Sequence, residues 1–246
     1  MDFESRIEKL NEMIKESSSI VFFGGAGVST ESGIPDFRSK DGLYNQHDVK
    51  FDMFTPEYLL SNDCLYQHPT VFYEFYRQKM NVEGIEPNIT HNVLAKMEEA
   101  GKLTAVVTQN IDGLHQKAGS KNVLEVHGTT LKNYCDRCGK VFPSDYIFKS
   151  EDKIPRCECG GMVRPYVTLY GEQLPPEFEQ SVGIIEKADM IIVGGTSLTV
   201  YPASSLVQYY RGDKLVIINR DETSRDMYAD LVFHEALGEV FKRVKY

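Results

Sequence analysis

Gly24-Gly25-Ala26-Gly27-Val28-Ser29-Thr30-Glu31-Ser32-Gly33-Ile34-Pro35-Asp36-Phe37-Arg38 follows directly on the apolar run Ser19-Ile20-Val21-Phe22-Phe23. A buried strand that runs into a glycine-rich turn lets the backbone approach a ligand closely. A helix starting just after the turn would point free N–H groups and its positive dipole end at an anion. The expected guest is a phosphate-bearing cofactor. The spacing meets the dinucleotide fingerprint only in part, because Thr30 stands where that pattern has its third glycine. An ordinary phosphate turn has no need of Pro35, Asp36, Phe37 and Arg38 side by side.

Outward from this turn, short apolar runs recur at residues 20–23, 103–107, 123–126, 167–170, 190–193, 215–218 and 231–233, several of them rich in β-branched residues. Helical patterns lie around and between them at 2–17, at 88–100 closed by Gly101, at 176–187, at 203–210 closed by Gly212, and at 236–246. Strands alternating with helices predict an α/β fold built on a Rossmann-like, doubly wound parallel sheet whose strands are buried on both faces. Two segments break the rhythm. Residues 40–82 are helical and aromatic-rich, with Phe72, Phe75, Tyr76 and Met80 on one face, and residues 128–164 hold most of the cysteines. The predicted organisation is a discontinuous nucleotide-binding domain of residues 1–39, 83–127 and 165–246, with 40–82 and 128–164 forming a smaller inserted lobe.

A chain of 246 residues with 41% hydrophobic content supports one large domain carrying such an insertion. No apolar run approaches the roughly 20 residues of a membrane span, and the acidic start Met1-Asp2-Phe3-Glu4 lacks a basic signal region, so the expectation is a cytoplasmic protein with no membrane partner. The net charge of −9 argues against affinity for nucleic acid and suits a basic peptide, although mild acidity also serves solubility alone. A monomer is expected.

Four of the five cysteines crowd into Cys135-Asp136-Arg137-Cys138 and Cys157-Glu158-Cys159-Gly160-Gly161. Two knuckles of thiolates close a tetrahedral zinc site, and with no further ligand nearby the site is read as structural. The second pair has one intervening residue where two are usual, so its loop must be tighter, with help from Gly160 and Gly161. The alternative is four free thiols. Acidic residues interleave the basic ones here, so the module is no basic patch for nucleic acid.

Open parallel sheets bind ligands at the carboxyl ends of their strands. After residues 103–107 come Thr108-Gln109-Asn110-Ile111-Asp112, whose amides and carboxylate can hydrogen-bond a carboxamide or a ribose; in isolation Asn110 or Asp112 reads equally as a helix cap. His127 follows residues 123–126 and precedes Gly128, which places an imidazole at the same edge as a candidate general base. Gly194-Gly195-Thr196-Ser197-Leu198 follows 190–193, and Asn219 follows 215–218. Both offer groups for a second phosphate or a ribose.

Taken together, the 25–38 stretch, 108–112, His127-Gly128, the four cysteines and Gly195-Thr196-Ser197-Leu198 resemble the sirtuins, NAD-dependent protein lysine deacylases, over essentially the whole chain. The resemblance implies a cleft between a Rossmann-like domain and a small zinc-bearing lobe. By motif it assigns Gly25, Ala26, Thr30, Asp36, Phe37 and Arg38 to the cofactor loop, with Phe37 shielding the reacting ribose carbon. Gln109, Asn110, Ile111 and Asp112 would surround ribose and nicotinamide, and Gly195, Thr196, Ser197, Asn219, Arg220, Ala236 and Leu237 the adenosine half. His127 would be the base, with Asn110 and Asp112 catalytic beside it. Cys135, Cys138, Cys157 and Cys159 would hold structural zinc.

An acyl-lysine peptide or protein would add as a strand between Val167, Thr168, Tyr170, Gly171 and Glu172 on one edge and Leu198, Val200 and Tyr201 on the other. The family commonly has valine at Thr168 and phenylalanine at Tyr170. Relatives preferring acidic acyl groups carry a tyrosine and an arginine three residues apart, where this chain has Tyr73 and Tyr76 with Arg77 adjacent, which favours acetyl or a neutral acyl chain. The implied reaction transfers the acyl group to ADP-ribose with release of nicotinamide, NAD being consumed. The alternatives are mono-ADP-ribosyl transfer to protein, a catalytically silent NAD- or acyl-peptide-binding module, and a dehydrogenase, the last weakened by the missing third glycine.

Overall fold

The computed structural model describes residues 1–246 except 38, 40, 41 and 47. Among the described residues nine strands form two sheets. In chain order they are β1 Ile20–Gly24, β2 Leu103–Thr108, β3 Val123–Glu125, β4 Gly128–Cys135, β5 Val141–Pro143, β6 Val163–Val167, β7 Met190–Gly194, β8 Leu215–Ile218 and β9 Leu231–Phe233. The larger sheet is parallel throughout, in the order β3-β2-β1-β7-β8-β9. From β1 the chain winds outward to β2 and β3, then returns beside β1 and winds the other way through β7 to β9. The switch point is therefore between β1 and β7, where ligands of open α/β sheets bind.

The helices are α1 Phe3–Glu16, α2 Pro56–Leu59, α3 Asn62–Gln67, α4 Pro69–Lys79, α5 Ile89–Glu99, α6 Leu114–Lys117, α7 Asp145–Phe148, α8 Pro176–Lys187 and α9 Leu237–Phe241. Both faces of the large sheet are covered, which is why its strands read as unbroken apolar runs. Ile20 and Phe22 of β1 pack with Leu10 and Ile14 of α1, Leu94 of α5 and Phe241 of α9. Val21 and Phe23 face the other way, onto Ile185 of α8 and Leu206.

The small sheet is antiparallel, β5-β4-β6. A third core joins it to the aromatic helices: Phe72, Tyr73, Phe75 and Tyr76 of α4 pack in one cluster with Cys135, Phe142, Ile147, Cys157 and Val163. The two segments that broke the rhythm thus bury their apolar faces on each other.

Four expectations are corrected. The glycine turn does not open an α-helix; it runs into two 3₁₀ turns, Ala26–Val28 and Thr30–Ser32. Residues 167–170 are not a strand of the parallel sheet, because Val167 ends β6 opposite Gly128 and the chain beyond it pairs with the α2–α3 junction. The pattern at 203–210 is a 3₁₀ helix, Ala203–Tyr209, and the last helix is confined to Leu237–Phe241. Among the described residues no helix is long and apolar enough to cross a membrane.

Candidate active site

The carboxyl ends of β1 and β7 are stitched together. Gly25 N–H donates to the Gly194 carbonyl (3.2 Å) and Gly27 N–H to the Gly195 carbonyl (2.8 Å). A Cβ on Gly25 would lie 2.7 Å from Thr196 Cβ, and one on Gly27 would lie 2.8 Å from Gly195 Cα. These glycines are therefore required first by the contact between the two loops. With 3₁₀ turns and no α-helix directly behind them, these glycines present no α-helix N-terminus, so an anion at this turn would meet loop N–H groups instead.

At the end of β2, Gln109 N–H donates to the Gly24 carbonyl (3.0 Å), tying this loop to the glycine turn. The Gln109 amide reaches across to Thr196 Oγ1 (3.0 Å). Asn110 Nδ2 donates to Ser29 Oγ (3.1 Å), and Ser29 Oγ donates to Asp112 Oδ2 (2.7 Å). Leu114 N–H holds the other Asp112 oxygen at 2.9 Å. All three side chains of this chain are buried. Burial raises the Asp112 carboxyl above its ordinary value despite the donors from Leu114 and Ser29.

His127 stands where β3 gives way to β4. Its Nδ1 lies 3.1 Å from the Gln109 carbonyl, which can only accept, so Nδ1 carries the proton and Nε2 keeps its lone pair. Burial holds the imidazole below its ordinary value of 6.5, partly offset by the Gln109 carbonyl. A neutral ring with its tautomer fixed is the form a general base requires.

These groups open onto one cleft of about 470 Å³ at the switch point. Gly25, Ala26, Asp36, Phe37, Gln109, Asn110, Ile111 and His127 line one side of it. Gly195, Thr196, Ser197 and Asn219 line the β7–β8 end, and Val167, Thr168, Tyr170, Gly171, Glu172, Val200 and Tyr201 complete the wall. The volume lies within the ordinary range for small-molecule and cofactor sites.

A profile of the Sir2 family matches residues 25–202. An NAD-dependent protein deacetylase of Clostridium acetobutylicum is 54% identical over 241 residues, covering 97% of this chain and 98% of that protein. The chain belongs to the Sir2 family. A solved Sir2 complex with a deacetylated p53 peptide and 3′-O-acetyl-ADP-ribose superposes with a TM-score of 0.87 at 38% identity, over 96% of each chain. A Sir2 complex with a p53 peptide and NAD+ gives 0.84 at 39%, again over 96% of each.

Within this Sir2-family chain, several sequence-assigned residues lie off the cleft surface. The Thr30 hydroxyl turns back to the Gly27 carbonyl (3.0 Å), and Asp112 sits behind Ser29. Leu198 is buried at a left-handed φ of 57°, and Leu237 packs into the sheet core beside Gly194. Arg220 and Ala236 also fall outside the lining, and Arg38 lies outside the described residues.

The edge expected to receive a peptide strand is narrower than its sequence implied. Thr168 N–H is taken by the His127 carbonyl (2.8 Å), Tyr170 N–H by the Leu60 carbonyl, and the Tyr170 carbonyl by Asn62 N–H. The Glu172 carboxylate is occupied as well, accepting from the two terminal Arg164 nitrogens (2.7 and 2.9 Å), Leu169 N–H and Asn62 Nδ2. Burial would raise this carboxyl, yet Arg164 and the other donors prevail and lower it.

Sequence reading missed Ser29, the hub between Asn110 and Asp112, although its place inside the glycine stretch was a usable signal. It also missed Tyr44 and Leu60, cleft-lining residues from the inserted helical segment that carry no local chemical mark, whereas Tyr76, named from sequence for acyl preference, does line the cleft. Tyr73 faces away, its hydroxyl donating to the Val163 carbonyl (2.8 Å). Arg77 is tied to the Ile147 and Asp152 carbonyls. No lysine or arginine is among the described residues lining the cleft.

The Sγ atoms of Cys135, Cys138, Cys157 and Cys159 all lie within 4.8 Å of one another, with Cys135–Cys159 at 3.5 Å and Cys138–Cys157 at 3.7 Å. Four thiolates around zinc at about 2.3 Å stand roughly 3.8 Å apart, and a disulfide is near 2 Å, so the geometry fits the metal. The short Cys157-Glu158-Cys159 spacing is closed by Gly160 at φ 81°. At Gly161 a Cβ would lie 2.6 Å from Cys135 Sγ. These four residues would hold a structural zinc, away from the cleft.

Proposed function

We infer that this chain is an NAD-dependent protein lysine deacetylase, transferring the acyl group from lysine to ADP-ribose with release of nicotinamide. The observation that carries this reading is the position of His127: a half-buried, neutral imidazole with Nδ1 tied to Gln109 and Nε2 available, in the same cleft as the β1, β2 and β7 loops. The deacetylase relatives and the Sir2 complexes with a p53 peptide and NAD+ and with a deacetylated p53 peptide and 3′-O-acetyl-ADP-ribose support it.

NAD as bound substrate supplies a ribose carbon bearing a good leaving group. The cleft fits it in donor chemistry, with amides from Gln109 and Asn110 and hydroxyls from Thr196 and Ser197 along one elongated wall. Phe37, Ile111 and Val167 keep water from the reacting carbon, so that the weakly nucleophilic acyl oxygen is the group in reach. Asn110 is oriented by the Ser29–Asp112 pair. His127 Nε2 takes the proton of a ribose hydroxyl and that oxygen attacks the acyl carbon; one water then supplies the acyl oxygen as the C–N bond to lysine breaks, and the lysine leaves as a free amine with the acyl group on the ribose. Asn219 belongs to the adenosine end. The acyl-lysine enters between Thr168–Gly171 and Val200–Tyr201, and a wall with no lysine or arginine among its described residues favours acetyl over a carboxylated acyl group. Residues 1–39, 83–127 and 165–246 form the NAD-binding domain in this reading.

The test is incubation with NAD and an acetyl-lysine peptide. Nicotinamide and acetyl-ADP-ribose should appear in equal amounts with free lysine, a succinyl-lysine peptide should react at least tenfold more slowly, and His127→Ala should abolish turnover. Absence of NAD-dependent turnover on any acyl-peptide sinks the reading.

A further inference from the structure

We propose that the Tyr170 hydroxyl is a positioning group for Phe37, acting through Tyr44 to keep water from the ribose carbon; this rests on the deacetylase reading above. The Tyr170 and Tyr44 hydroxyls are 3.0 Å apart. The Tyr44 ring stands edge-on to Phe37, with centroids 5.4 Å apart. Phe37, Tyr44 and Tyr170 all line the cleft.

Each end of this connection is anchored. Tyr170 is held by its backbone on both sides, its N–H donating to the Leu60 carbonyl and its carbonyl accepting from Asn62 N–H, both at 3.0 Å. It is a fixed post at the junction of α2 and α3. Tyr44 N–H donates to the Phe37 carbonyl (2.9 Å), and Leu43 N–H to the Asp36 carbonyl (2.7 Å). A force on Tyr44 is therefore transmitted to Phe37 through both backbone and ring. Phe37 has no polar group of its own, and its ring orientation depends on what packs against it. The hydroxyl pair couples it to the wall on the acyl-lysine side. A phenylalanine at 170 would keep the ring and lose the coupling.

The consequence lies in partition. In a loosened site, water adds through its oxygen to the ribose carbon as the bond to nicotinamide breaks. Nicotinamide leaves neutral, the water proton goes to solvent, and ADP-ribose forms with the lysine still acylated.

The experiment compares the wild type, Tyr170→Phe, Tyr44→Phe and the double variant, measuring nicotinamide released and lysine freed as NAD is varied. Each single variant should raise the KM for NAD about three- to tenfold, the scale of one hydrogen bond. Nicotinamide release should exceed lysine deacylation, and the double variant should be no worse than either single one, with a cooperative thermal transition retained throughout. A merely structural role would not move the product ratio. Equal product yields with an unchanged KM in Tyr170→Phe, or effects that add in the double variant, overturn the proposal. A wild type without NAD-dependent turnover overturns the functional reading beneath it.

Discussion

Ser29 is a small side chain whose removal should be felt well beyond its size. Its hydroxyl is the acceptor for Asn110 and a donor to Asp112, and it is 1% exposed. Ser29→Ala leaves a buried carboxylate short of one donor and a buried amide short of its acceptor. The expected cost is about 1–3 kcal/mol in urea unfolding, with kcat lowered about tenfold or more. A variant as stable and active as the wild type would show that Asn110 is oriented by something else. For His127, burial lowers the pKa, so the base remains competent below the ordinary imidazole range. The acid limb of kcat/KM should therefore fall below pH 6.5.

At the scale of elements, α5 and α6 meet through two buried histidines. The rings of His91 and His115 lie 4.7 Å apart, and both nitrogens of His115 and Nε2 of His91 have no hydrogen-bond partner among the described residues. Burial pushes His91 down from 6.5 to about 4 and holds His115 well below its ordinary value, with His91 adding to the effect. Because the unfolded chain binds these protons more readily, their contribution is fully present above pH 6.5 and is lost as the pH falls toward about 4. The melting temperature should drop across that window, and His115→Leu should flatten the slope. An unchanged slope would place the acid sensitivity of that window in other groups.

For the whole molecule, the zinc module governs a cleft that it does not line. Cys135 and Cys157 belong to the same core as Phe72, Tyr73 and Val167, and Val167 walls the cleft. Cys159→Ser should lower bound zinc, measured by atomic emission, from one per chain to well below it. It should also reduce the melting temperature by several degrees and reduce activity in parallel. Full activity in a zinc-free protein would show that the small lobe folds on its apolar core alone.

The sequence alone determined the parallel sheet, the cysteine cluster and the strand-end motifs. Strands buried on both faces must be apolar throughout, thiolates that share a metal must be closely spaced, and chemistry at a strand tip needs particular residue types. Phe22–Phe23, Cys135–Cys138 and 109–112 each carry such a local mark. Only the tertiary structure decided that Asp112 stands behind Ser29, that Thr30 turns from the cleft, and that the backbone of Tyr170 is already paired. Those outcomes depend on contacts between residues distant in the chain, where a hydroxyl or N–H has several possible partners and packing selects one. The opening glycines belong to both classes. Their presence was legible, but the reason for Gly25 and Gly27, the close approach of the β1 and β7 loops, appears only when the two strands lie side by side.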